Sequence, residues 1–88
     1  MPASVSEYLQ SELGNALAKQ PDDAARLVFL AKQYGEWEMK RSQFYLRGEQ
    51  PFGAPHPELG PMTAMDFILV LSAIEHARSQ IERARVAA

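Results

Sequence analysis

The chain has no cysteine. That absence excludes disulfide bridges, thiolate zinc sites and a cysteine nucleophile together, and it leaves a reducing cytoplasm as the default compartment. Long apolar runs are missing too. The most apolar stretch, Phe67 to Ala73, falls far short of the ~20 residues that a helix needs to span a bilayer, so no membrane partner is expected. Nor is there a surplus of positive charge. Nine Lys plus Arg stand against eleven Asp plus Glu, a formal net charge of −2, and a chain so balanced has no overall field to draw it to phosphate backbones. General nucleic-acid binding is therefore not expected. The start, Met1-Pro2-Ala3-Ser4, has no basic region followed by an apolar run, so it does not read as a secretory signal. These absences together predict a soluble, cytoplasmic protein.

What is present suits a folded domain. Hydrophobic residues make up 47% of the 88-residue chain and charged ones 23%, too apolar for a disordered segment. The length allows one domain over 1–88 and no second core. A chain this short hides a modest share of its apolar surface, so burial against itself or a partner would add stability.

Helical periodicity dominates, and no internal repeat or strand-like alternation interrupts it. Ser4 and Glu7 have the spacing of a capping box, and Val5, Leu9, Leu13 and Leu17 then recur every four residues, which predicts a helix over about 4–19. Gly14 sits inside it at a cost of ~1 kcal/mol relative to alanine and reads as the mark of a close helix crossing. Gln20-Pro21-Asp22-Asp23 breaks the pattern and starts a second helix, since proline suits a first turn and aspartates suit the positive end of the dipole. Leu27, Leu30, Tyr34, Trp37, Arg41 and Phe44 carry that helix over about 22–47 until Gly48 stops it. A break at Gly35 would divide it and give a fourth helix; the reading taken is a continuous one. Ala24, Val28, Ala31, Gly35 and Ser42 form a strip of mostly small residues beside the aromatic stripe, which predicts the close approach of another helix.

Residues 48–62 contain Pro51, Pro55, Pro57 and Pro61 with three glycines, which excludes regular helix or sheet. The expected path is extended, with Phe52 and Leu59 as anchors. Thr63 and Asp66 then signal a third helix over about 63–85. Phe67, Val70, Ile74, Ala77 and Ile81 make its stripe, but Ile68, Leu69 and Leu71 make its first half apolar nearly all round. The fold expected is an all-α bundle of three helices, or four if Gly35 divides the second, with a long Pro/Gly-rich loop before the last.

No arrangement of residues commits the chain to catalysis. His56 and His76 show no metal-ligand spacing, no serine sits in a nucleophile setting, and Asp22-Asp23 reads as a helix start. Glu36 and Glu38, two apart, project away from each other on a helix. No cofactor and no metal are expected. The informative signal is apolar surface in excess of one stripe per helix, on the first half of helix three, at Tyr45-Leu46, and at Phe52 and Leu59. The loop folding back, a second copy of the chain or another protein would have to cover it.

The expectation is a non-enzymatic helical protein–protein interaction module: an adaptor, a regulator or inhibitor, or a small assembly subunit, a profile common among accessory proteins of phages and mobile elements. Its partner is another protein, itself as a homodimer, or both. The contacts expected are Trp37, Phe44, Tyr45, Phe52 and Phe67, each of which also reads as ordinary core. Two alternatives belong to other classes. One is a small dimeric helical enzyme using Arg26, Arg41, Arg47 and Glu75 on an anionic metabolite; the other is a weak nucleic-acid binder using Lys40, Arg41 and Arg47 beside the aromatic rings.

Overall fold

The structure, a computed structural model, describes residues 4–87. Met1 to Ala3, on which the reading of the chain start rests, and Ala88 lie outside the described residues. Three helices form, α1 over Val5–Ala18, α2 over Asp23–Leu46 and α3 over Ala64–Ala87, so the all-helical class is as expected. α3 packs against both α2 and α1.

Each helix starts where a side chain takes over the free backbone donors of its first turn. At α1 the Ser4 hydroxyl accepts from the Glu7 amide at 3.2 Å. At α2 the Asp22 carboxylate accepts from the Ala25 amide at 2.8 Å. At α3 the Asp66 carboxylate reaches back and accepts from the Thr63 amide at 2.8 Å and its hydroxyl at 3.0 Å. Such caps satisfy donors that have no partner inside the helix.

α2 runs unbroken through Gly35, and its end follows a Schellman pattern. The Glu49 amide donates to the Phe44 carbonyl and the Gly48 amide to the Tyr45 carbonyl, both at 3.0 Å. That closure requires the left-handed backbone of Gly48 at φ 70°, and Glu49, which follows it, is left-handed as well, at φ 59°. The expectation that Gly14 marks a close helix crossing is corrected for crossings within the chain, and no described residue of the chain closes on Gly35 in the small strip of α2. A Cβ placed on Gly14 or Gly35 would meet nothing within 4 Å, because both glycines lie on solvent-facing sides of their helices.

Residues 47–63 fold back over the junction of α2 and α3 rather than away from it. Phe52 and Met62 form an isolated antiparallel bridge, and between them the Leu59 amide donates to the His56 carbonyl at 3.2 Å in a turn. Met62 is buried, with Phe52 and Leu59 packed beside it.

The core has two parts. Val5, Phe44, Met62 and Phe67 fill the end where α2 meets α3; Leu30, Val70 and Ile74 fill the middle, flanked by Leu13 and Leu17 from α1. Leu9 and Trp37 touch both groups and join them. The molecule is flat, 45 × 30 × 17 Å, with a radius of gyration of 14.0 Å where a compact chain of this length gives about 12 Å. Long helices laid side by side leave much apolar surface outside.

Candidate functional site

Phe67 sits wholly buried in the first turns of α3 and gathers the aromatic residues of the other elements around it. Phe44 approaches it with ring centroids 5.1 Å apart, Phe52 edge to face at 5.8 Å, and Trp37 edge to face at 6.1 Å. Four of the five residues expected to meet a partner are thus one aromatic cluster. Phe44 and Phe67 belong to the core, and the expectation that they contact a partner is corrected for both: one stripe on α2 and one on α3 face each other and close over these rings. Trp37 and Phe52 are half-buried, so each keeps an edge at the surface. Only Tyr45, whose ring meets Phe44 edge-on at 5.7 Å, is exposed.

The accessible edges of Trp37 and Phe52 line a cleft of about 240 Å³ between α2 and the 47–63 connection, closed by Met62 and by Gly53 to Pro55. Lys40 lies on its wall. The Lys40 ammonium lies 4.3 Å from the centre of the Trp37 ring, and the Arg47 guanidinium 5.4 Å from that of Phe52. A second hollow of about 270 Å³ separates α1 from α2, with Leu9, Leu13, Phe29 and Trp37 on its walls and Val70 at its base. A larger one of about 420 Å³ is lined, among the described residues, by Ser79, Glu82, Arg83 and Val86 of α3.

The apolar excess foreseen on α3 is only partly covered. Leu71 is buried, whereas Met65, Ile68 and Leu69 remain exposed, as do Tyr45 and Leu46. Since Phe44 touches Phe67, their chain neighbours Tyr45 and Ile68 lie at the same end of the hairpin and form an exposed apolar patch there, while Leu46, Met65 and Leu69 lie farther round their helices. Among the described residues, large exposed hydrophobic side chains are as numerous as buried ones, eight of each. Scattered single exposures are ordinary, but a cluster at one end is what binding surfaces present.

The four charged residues of the enzyme alternative each have local partners. Arg26 donates to the Leu17 and Gln20 carbonyls, each at 3.3 Å, and pairs with Asp23 at 2.8 Å, tying the end of α1 to the start of α2. Arg47 donates to the Pro51 carbonyl at 3.2 Å and lies about 31 Å from Arg26 along α2 at 1.5 Å per residue. Glu75 pairs with Arg78 at 3.0 Å. Arg41 lies 3.7 Å from Glu38 and over the Tyr45 ring, and its Nε is buried with no hydrogen-bond partner. His56 accepts from the Glu58 amide at its Nδ1, 3.2 Å away, and stacks edge-on against Tyr8. Among the described residues no three of His, Cys, Asp or Glu gather as a metal site would need, and no helix is long and apolar enough to cross a membrane.

Sequence reasoning missed the capping role of Arg26, although its position three residues after Asp23 was a signal. It also missed the burial of Met62, which stands among prolines and has no periodic neighbours. Compared with protein-family models, with curated proteins and with solved structures, the chain matches none.

Proposed function

We propose that the chain is a helical protein–protein interaction module that works through exposed apolar side chains, binding another protein, a second copy of itself, or both. The observation that carries this reading is the apolar patch of Tyr45 and Ile68, which flank the buried Phe44–Phe67 contact at one end of the α2–α3 hairpin and are both exposed. Its side chains are large and apolar and the 47–63 connection does not reach over them, while the same connection covers Phe67 beneath. Burying such a patch contributes roughly 25 cal/mol per Å² of apolar area, so a partner that fits it gains affinity without any special chemistry. Trp37 and Phe52, each with a cation over its ring, offer a second contact and favour a partner that brings carboxylates.

Adaptor, regulator and small assembly subunit all share this mode of action. The experiment is affinity capture from the native host with the wild type beside Tyr45→Ala and Ile68→Ala, together with light scattering on each purified protein. Loss of a stoichiometric partner, or of self-association, in either variant supports the reading. Retention of every complex in both variants contradicts it.

A further inference from the structure

We infer that the outward face of α2 is a dimer interface in which two copies of the chain pair their α2 helices antiparallel, with Gly35 on the two-fold axis. This names a partner for the interaction reading proposed above and rests on it, but it uses the α2 face turned away from α3 rather than the patch of Tyr45 and Ile68. The face consists of Ala24, Val28, Ala31, Gly35, Met39, Ser42 and Leu46, and all of them are exposed. At 100° per residue they lie within about 40° of a line through Gly35. A helix face turned to solvent normally carries charge; this one carries none on its centre line, and Val28, Met39 and Leu46 are 71%, 64% and 87% exposed.

The spacing is what selects a second copy as occupant. Reading outward from Gly35, the chain reaches Ala31, Val28 and Ala24 in one direction and Met39, Ser42 and Leu46 in the other, at equal steps on both sides. A two-fold axis at Gly35 therefore sets Ala31 against Met39, Val28 against Ser42 and Ala24 against Leu46, each layer pairing a smaller side chain with a larger one. Such alternation lets facing layers interdigitate, and the self-complementary patch is what an isologous dimer requires. With no side chain at Gly35 the two backbones can close at the centre, where a Cβ would meet nothing from its own chain.

Charge on the flank agrees with the same register. Lys32 and Glu36 stand on one side of the stripe, and among the described residues neither has an ion-pair partner. A perpendicular two-fold axis keeps each flank facing its own kind, so Lys32 falls ~3 Å along the axis from Glu36 of the second copy, and the contact is made twice. An interface about 36 Å long built partly from small residues lies at the lower end of stable interfaces, so the dimer is expected to dissociate in the micromolar range.

The absence of native cysteine makes the register directly readable. Single-cysteine variants Val28→Cys and Ser42→Cys are oxidised separately and as a mixture, and the wild type and Gly35→Glu are followed by sedimentation equilibrium from about 1 μM to 1 mM. The expected result is concentration-dependent dimerisation of the wild type and a strong excess of cross-linked species in the mixture over either variant alone. Gly35→Glu is expected to stay monomeric yet to keep its helix content and melt at a higher temperature, since glycine is a poor helix former. A wild type that is monomeric throughout, or a dimer that survives Gly35→Glu, overturns the inference. Either result leaves the patch of Tyr45 and Ile68 to be judged by its own capture experiment.

Discussion

Phe52, from the proline-rich connection, sets its ring edge to face against Phe67, the wholly buried residue of α3, with centroids 5.8 Å apart. This contact holds the connection down on the α2–α3 junction and makes it part of the core's end. Truncating the two partners should therefore have unequal effects. Phe67→Ala opens a cavity among Trp37, Phe44 and Phe52 and is expected to cost about 3–5 kcal/mol, much of the stability of a small domain. Phe52→Ala removes a half-buried ring and is expected to cost on the order of 1–2 kcal/mol. Urea unfolding of both variants checks the order.

Glu49, whose amide donates to the Phe44 carbonyl, itself occupies the left-handed region at φ 59°. That conformation costs a residue with a side chain roughly 1–2 kcal/mol, and asparagine tolerates it better. Glu49→Asn is expected to stabilise the protein by up to about 1 kcal/mol, read as a rise of a few degrees in Tm. Gly48→Ala is expected to act in the opposite sense by a similar amount.

Arg26 ties the last carbonyls of α1 to the first turn of α2. Arg26→Ala should release the Leu17 and Gln20 carbonyls to water and cost on the order of 1 kcal/mol. Hydrogen exchange should show the effect locally, with faster exchange at the α1–α2 turn and unchanged protection near Phe67. Uniformly faster exchange would mean that the contact supports the whole fold.

The fold was legible because its signals are local. Ser4, Asp22 and the Thr63–Asp66 pair are caps, Gly48 needs a backbone that only glycine adopts freely, and the apolar spacing of α2 and α3 fixes which sides meet. The candidate surface was less legible, because the sequence shows which residues are apolar and not which of two apolar faces a neighbour covers. Phe44 and Tyr45 are adjacent and aromatic, yet the first is core and the second exposed. The path of the 47–63 connection decides the matter for Phe67 and Met62, and prolines impose no period from which that path could be read.

Separating the association surface from the core is the most direct test of an interaction module. In a variant carrying both Ile68→Lys and Leu69→Lys, unfolding free energy and association are measured on the same preparation, by urea titration and by capture with light scattering. Surface changes away from packed features usually stay within about 0.5 kcal/mol each, so the prediction is near-wild-type stability with loss of the partner or of self-association. Full retention of every complex at unchanged stability would contradict it.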